Sequence, residues 1–339
     1  MVVCPSACYH GVMSIQRKLP VAPERLPRPG EVPDFGMFRG RTADTDTARW
    51  DGGLRRWFQR KTWTYAGVFS ERLYVGLAVV DAGFLATAFI YVYDRRTERL
   101  TEHKVSRPFG FSRGWQPGLD TRWELSSRTA RWAIIPESEG WRITFSGPDI
   151  DVEIELGDSP EGLSTLAPAQ SRPFHYTYKL AGVPARVKVV TPAGTISEDT
   201  SGVLDFSKGY PPRHMYWNWA SFVGATSEGE RFGLNLVADF NNGLENVVWV
   251  GETLIPLSQA LFRYDRQRLS EPWHVRTLDE RVDVRFFPEG SRSENISVGV
   301  MASRFAQPFG TFEGRILMPT GEERLVSGHG VVEQHLAVW

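Results

Sequence analysis

The end of the chain carries an acid and an imidazole on what reads as one strand face. In the segment GHGVVEQHLAVW, Glu333 and His335 are separated by one residue, and such residues point to the same side of a β-strand. A carboxyl group in apolar surroundings can act as a general acid, and an adjacent imidazole can hold or relay the proton. The pair is therefore predicted to be catalytic. Two alternatives stay open: an exposed pair on an edge strand, and a metal site completed by His329 or His214.

The segment MYWNWASFVG offers an aromatic surface for a ligand. Alternation puts Trp217 and Trp219 on one side of this strand, and the next segment, RFGLNLVADF, has a polar side with Asn235 and Asp239. That polar side either meets solvent or forms a patch inside a barrel or at its mouth. Glu245 follows an Asn-Gly turn and reads as an ordinary turn carboxylate. Because aromatic ring faces can stabilise positive charge on a substrate, the predicted ligand-binding residues are Trp217, Trp219, Asn235, Asp239, Trp249 and Trp339.

The elements that must position these residues are strands. From Trp63 onward, apolar residues recur with a period of two, and Gly, Pro, Asp and Asn separate the runs. Strands at this spacing without intervening helices predict antiparallel barrels or sandwiches. Before them, five prolines in residues 20–33 predict an extended arm. The segment GLRRWFQRK, residues 53–61, predicts one short helix.

A weak internal repeat predicts two related units. Residues 63–66 (WTYA) match residues 217–220 (WNWA), and each match is followed by a Gly-Leu pair, at 76–77 and at 233–234. The fold class that follows is all-β, with two tandem antiparallel barrel or sandwich units behind a proline-rich arm. The predicted organisation is an arm with a short helix over 1–60, a first unit over 61–207 and a second over 208–339.

Composition narrows the function classes. The chain has 39 Lys and Arg against 40 Asp and Glu, spread along its length, which argues against a nucleic-acid or anionic-membrane partner. No apolar run approaches the length of a membrane span. Phosphate-binding loops and the nucleophile elbow of serine hydrolases are absent, and we expect no cofactor and no bound metal. The only cysteines are Cys4 and Cys8, so a fold without disulfides in a reducing cytoplasm is predicted. The oligomeric state stays open.

Long segments of the chain resemble a known family. The segments GYPPRHMYWNWASF, FGLNLVADFNNGLENVVWVG, QPFGTFEG and SGHGVVEQHLAVW are similar to the DUF2804 family, which has no settled function. More distantly, the pattern of Gly328, Gly330, Glu333 and Trp339 resembles the AttH/CrtC group, which includes carotenoid hydratases and fungal pericyclases. This likeness implies two lipocalin-like units in tandem, and a large apolar substrate that is protonated or shaped by the protein.

Three functional hypotheses follow. The first is a cofactor-independent hydratase, cyclase or isomerase for a hydrophobic lipid- or terpenoid-like molecule held in a β-barrel cavity, with Glu333 as general acid and His335 as its partner. The second is a carrier or sensor of such a molecule, which needs the cavity but not the acid. The third is a carbohydrate-binding or structural β protein, for which exposed, coplanar tryptophan rings would be the sign.

Overall fold

The computed structural model describes residues 18–111, 115–298 and 301–338. It has one α-helix, α1 (Leu54–Gln59), at the predicted place, and one 3-10 turn at Asn241–Gly243. In chain order the strands are β1 (Gly36–Arg39), β2 (Lys61–Phe69), β3 (Leu73–Asp81), β4 (Leu85–Asp94), β5 (Arg99–Pro108), β6 (Trp123–Ser126), β7 (Arg131–Glu137), β8 (Gly140–Ser146), β9 (Asp151–Gly157), β10 (Leu163–Ala169), β11 (Arg172–Thr191), β12 (Gly194–Gly209), β13 (His214–Thr226), β14 (Arg231–Ala238), β15 (Val247–Val250), β16 (Thr253–Pro256), β17 (Ala260–Arg263), β18 (Trp273–Thr277), β19 (Val282–Val298), β20 (Met301–Leu317) and β21 (Glu323–Val338).

The strands form two curled antiparallel sheets. The first sheet has the order β5-β4-β3-β2-β12-β11-β9-β8-β7-β6, and β10 and β1 extend it from β11. The second sheet has the order β16-β15-β14-β13-β21-β20-β19-β18-β17. The prediction of an all-β chain with two barrel-like units is confirmed. In chain order, β12 is the last strand of the first sheet and β13 is the first strand of the second. The exact domain boundary at 207/208 stays a prediction.

The inside of each curled sheet is filled by side chains. In the second sheet, the Phe222 ring lies 5.6 Å from that of Phe286 and 4.6 Å from that of Phe312, in both cases nearly parallel. In the first sheet, Trp132 packs against Phe145 at 4.9 Å. These contacts belong to the hydrophobic core of each unit.

The internal repeat corresponds to equivalent places in the two sheets. Strand β2 lies between β3 and β12, and strand β13 lies between β14 and β21. In both sheets the first strand of the meander therefore pairs with the last strand of the sheet. The sequence match between residues 63–66 and 217–220 reflects this shared topology.

The two sheets pack against each other through the faces that point away from their own cores. Along β2, Ala66 and Val68 belong to the core of the first sheet, whereas Tyr65 and Phe69 belong to an apolar cluster shared with the second. The backbones approach closely at Gly233, where a Cβ atom would lie 2.2 Å from the carbonyl oxygen of Ala181. Central strands are consequently apolar on both faces.

The N-terminal segment is extended, as its prolines predict. Val21 and Arg25 form isolated parallel bridges to Arg39 and Asp44, and Leu26 is buried in the core of the first sheet. Cys4 and Cys8 lie outside the described residues. None of the helices in the described ranges is long and apolar enough to cross a membrane.

Candidate functional site

A cavity of about 140 Å³ lies where the two sheets face each other. Both sheets contribute to its wall, whereas the cavity expected from the sequence lies inside one barrel and stays a prediction. Seven side chains of the wall are aromatic. The aromatic side chains are Trp63, Tyr65 and Phe89 from the first sheet and Trp217, Trp219, Phe240 and Phe305 from the second.

The two copies of the repeat meet across this cavity. Trp63 and Tyr65 from β2 face Trp217 and Trp219 from β13, and the rings of Tyr65 and Trp219 meet edge to face at 5.6 Å. Because equivalent strands present equivalent faces, the pseudo-symmetric docking of the sheets brings both aromatic pairs to one place. The two matching segments of the repeat thus form opposite walls of the cavity.

Glu333 lies on the wall of the cavity and accepts hydrogen bonds from neutral donors. The indole Nε1 of Trp217 donates to its Oε1 at 3.0 Å, and the amide Nε2 of Gln307 donates to its Oε2 at 2.9 Å. The Nδ1 atom of His335 lies 3.3 Å from the same Oε1. Glu333 is 7% exposed. Since an indole N–H can only donate, both oxygens of the Glu333 carboxyl group act as hydrogen-bond acceptors at the cavity wall.

His335 connects Glu333 to a serine. Its ring packs against that of Trp217 at a centroid distance of 4.2 Å and a tilt of 40°, and its Nε2 atom lies 2.9 Å from the Oγ of Ser303. The predicted sharing of one strand face by Glu333 and His335 therefore corresponds to a direct contact. Ser303, Glu333 and His335 form a continuous hydrogen-bonded chain along which a proton can move.

A buried ionic cluster forms another part of the wall. The Nζ of Lys179 lies 2.6 Å from Asp205 Oδ2 and 2.9 Å from Glu245 Oε2. Lys179 and Asp205 are cross-strand neighbours on β11 and β12, whereas Glu245 comes from the loop between β14 and β15 of the other sheet. The Lys179–Glu245 pair therefore joins the two sheets.

Burial shapes the protonation of this cluster. Burial lowers the pKa of Lys179, but Asp205 and Glu245 outweigh it, so the pKa lies above its ordinary value. Burial raises the pKa of Asp205, and the negative charge of Glu245 raises it further, against the opposing effect of Lys179. Lys179 is therefore positively charged at neutral pH, and burial disfavours the charged form of Asp205.

The other predicted ligand-binding residues have different places. Asn235 accepts a hydrogen bond from Trp219 Nε1 at 2.8 Å and donates one to the carbonyl oxygen of Glu245. It therefore positions two residues of the wall without lining the cavity itself. Trp249 is buried between the sheets, away from the cavity, with its indole on the carbonyl oxygen of Glu161. Asp239 is exposed on the wall of an adjoining groove, and Trp339 lies outside the described residues.

Several residues of the site were not anticipated. No local sequence pattern distinguishes the strand residues Lys179, Asp205, Gln307 and Ser303 from their neighbours. The sequence predicts an ordinary turn carboxylate at Glu245. In the structure Glu245 is 1% exposed, because its loop folds under the first sheet. The repeat did hold a usable signal: its match to residues 217–220 could have identified residues 63–66 as the opposite wall.

A larger groove adjoins the cavity. It has a volume of about 680 Å³ and shares Met215, Val237 and Phe240 with the cavity wall. His175 lines this groove, packs against Phe240 at 5.1 Å and is 1% exposed. Neither of its ring nitrogens has a hydrogen-bond partner among the described residues, and burial lowers its pKa to about 3. The groove therefore offers a neutral imidazole to a ligand.

The sequence leaves open a metal site formed by Glu333 and His335 with His329 or His214. His329 instead contacts Tyr74 and Glu71, with 3.0 Å from its Nδ1 to the Tyr74 hydroxyl and 3.0 Å from its Nε2 to Glu71 Oε1. Within the described ranges, no group of three or more His, Cys, Asp or Glu side chains is arranged to hold a metal ion.

The fold is shared with solved structures of low sequence identity. Kievitone hydratase from Nectria haematococca superposes with a TM-score of 0.54 at 12% identity, over 94% of this chain and 98% of that one. A protein from Nitrosomonas europaea assigned as an AttH superposes with a TM-score of 0.52 at 14% identity, over 81% of this chain and 92% of that one. These likenesses show the fold, which is of the lipocalin-like AttH type.

Sequence comparisons give a family without a described activity. None of the curated proteins matches the chain. The model of a domain of unknown function, DUF2804, matches residues 18–339, which is nearly the whole chain. The predicted family membership is confirmed: the chain belongs to the DUF2804 family.

Proposed function

We propose that this protein is a cofactor-independent enzyme of the hydratase, cyclase or isomerase type, acting on a small molecule with a hydrophobic body. The observation that carries the proposal is the contact between Glu333 and His335 on the wall of an aromatic cavity. The fold is also that of a protein named as a hydratase, which is compatible with the proposal. A cytoplasmic location, predicted from the cysteine usage, stays a prediction.

In the proposed reaction, the Glu333–His335 pair supplies one proton to an unsaturated carbon or a leaving group of the substrate. Positive charge then develops on the substrate beside the ring faces of Trp217 and Trp219, which stabilise it. Water or a nucleophilic group of the substrate itself forms the new bond, and the proton released in that step returns to the pair. Ser303 extends the hydrogen-bonded chain through which His335 exchanges its proton.

The sizes of the two spaces indicate how a substrate would bind. An apolar cavity of about 150 Å³ in another protein holds one benzene molecule, so the 140 Å³ cavity has room for one ring or a branched group. The groove that shares Met215, Val237 and Phe240 with it is several times larger. We therefore expect the reacting end in the cavity and the hydrophobic body in the groove.

The test begins with the bound molecule. Native mass spectrometry of protein purified gently from its host's lysate, followed by solvent extraction, identifies a co-purifying ligand, which is then used as substrate. Glu333→Gln should keep the mass shift of the bound ligand and lower turnover at least about 100-fold, the usual loss on removing an acid–base group. Glu252→Gln, a substitution at an exposed position, is the matched control. Unchanged turnover in Glu333→Gln would refute the proposed role.

A carrier function is the second candidate. It is favoured by one observation: Lys179 is paired with Asp205 and Glu245, and Glu333 is paired with Trp217 and Gln307, so these polar groups of the wall already have partners. A carrier would release its extracted ligand unchanged after long incubation.

The third hypothesis, a carbohydrate-binding or structural β protein, requires exposed tryptophan rings. Each tryptophan in the described ranges is buried or half-buried.

A further inference from the structure

The wall of the cavity carries more acidic than basic groups. Asp205, Glu245 and Glu333 contribute three carboxyl groups, whereas Lys179 contributes one ammonium group and His335 one imidazole. The three acidic residues and Lys179 are at most 9% exposed. A buried charge without a counter-charge is costly, so this imbalance is the feature of the site that most needs an explanation.

The neighbouring positive charge is already matched. The guanidinium of Arg292 lies over the ring of Phe89 at 3.8 Å and of Phe305 at 5.1 Å. It pairs with Glu102 at 3.3 Å and with Glu294 at 3.0 Å. Arg292 therefore does not offset the carboxylates of the cavity. It does show that two rings of the cavity wall already accept a cation on one side.

A second observation points to a positively charged or hydrogen-bond-donating ligand. Gln307 lines the cavity and is 1% exposed. Its Nε2 donates to Glu333, whereas its Oε1 has no hydrogen-bond partner among the described residues. A buried carbonyl oxygen without a donor is unusual and costly. The unpartnered acceptor and the surplus carboxylate are thus side by side.

We propose that the cavity binds a compact organic cation, an alkylammonium head group, between its aromatic rings and Glu333. The proposal rests on the proposed function for the placement of the substrate's reacting end, and it adds the charge of that end. Alkylammonium groups are the cations that aromatic cages recognise in proteins. A quaternary ammonium group is about as large as the ring that fits a cavity of this volume. The hydrophobic body would again lie in the groove.

The experiment compares two molecules of the same shape and different charge. Choline and its neutral isostere 3,3-dimethylbutan-1-ol are titrated into the full chain by calorimetry at pH 7.5. Choline should bind at least about tenfold more tightly, which corresponds to about 1.4 kcal/mol. Glu333→Gln should weaken choline binding by a similar factor, and Glu252→Gln should not change it. Asp205→Asn, which also removes a carboxylate of the wall, is the second variant in case Glu333→Gln does not fold.

Two results would overturn the inference. One is equal affinity for choline and the neutral alcohol, since shape alone would then account for binding. The other is no binding of choline at all. This inference can fail while the proposed function holds. The co-purifying substrate could be neutral, and the wild type could convert it while Glu333→Gln does not. That result would refute the cationic ligand and retain the acid–base role.

Discussion

Replacing Lys179 by methionine tests how the two sheets and the cavity depend on the buried ionic cluster. The substitution keeps the length of the side chain and removes the charge that Asp205 and Glu245 share at 2.6 and 2.9 Å. Removing one partner of a buried ion pair costs about 3–5 kcal/mol. Because two carboxylates lose the same partner here, we expect a loss near the upper end of that range at pH 7.5.

The loss should depend on pH, with a sign that follows from the unpaired carboxylates. In the variant, Asp205 and Glu245 repel each other in a buried place, so their pKa values in the folded state rise above the unfolded values. As pH falls, the folded variant binds protons before the unfolded chain does, so its stability recovers relative to the wild type. Burial already raises the pKa of Asp205 in the wild type. The difference in unfolding free energy should therefore be smaller at pH 5 than at pH 7.5.

Urea unfolding followed by tryptophan fluorescence measures the effect. The matched control is Lys188→Met, an exposed lysine on the same strand β11, which should change stability by no more than about 0.5 kcal/mol. The triple variant Lys179→Met, Asp205→Asn, Glu245→Gln removes every charge and should regain most of the loss. A loss below about 1 kcal/mol in Lys179→Met, or an equal loss at both pH values, would refute the reasoning.

Two further predictions concern stability. Burial lowers the pKa of Lys208 from 10.5 to about 7, so the unfolded chain binds more protons than the folded protein between those pH values, and stability rises with pH there. Lys208→Met should flatten this rise in thermal melts, whereas the control Lys188→Met should leave it unchanged. An unaltered slope in Lys208→Met would contradict the lowered pKa. Gly233→Ala would place a Cβ atom 2.2 Å from the backbone oxygen of Ala181 and should lower the unfolding free energy measured in urea by about 1–3 kcal/mol or more. Gly52→Ala, with open space around it, should be nearly neutral. Equal effects of the two substitutions would mean that the sheets dock differently.

Much of the fold was available from local patterns. The period of two identified the strands, and the proline run and the Leu54–Gln59 helix were expected where they occur. Alternation also placed Glu333 and His335 on one face, where they touch. These features depend on the preferences of neighbouring residues along one strand, so a sequence pattern is sufficient to predict them.

Local sequence patterns could not predict the position of the cavity. Trp217 and Trp219 stood on an apolar face, but the opposite face of β13 is apolar as well. One of these faces packs into the core of its own sheet, and the other packs against the first sheet. Alternation separates two faces and does not say which of them turns inward. A cavity inside one barrel was the expectation for that reason, and the docking of two sheets placed it between them.

The sequence by itself determined which side chains share a face, and with it the Glu333–His335 contact and, through the repeat, the match between the two aromatic segments. Only the tertiary structure decided that Lys179 and Asp205 of one sheet meet Glu245 of the other, and that Gln307 comes beside Glu333. Those contacts arise from strand register and from the docking of two sheets. Both are set by the packing of residues that are far apart in the chain, so no local pattern contains them.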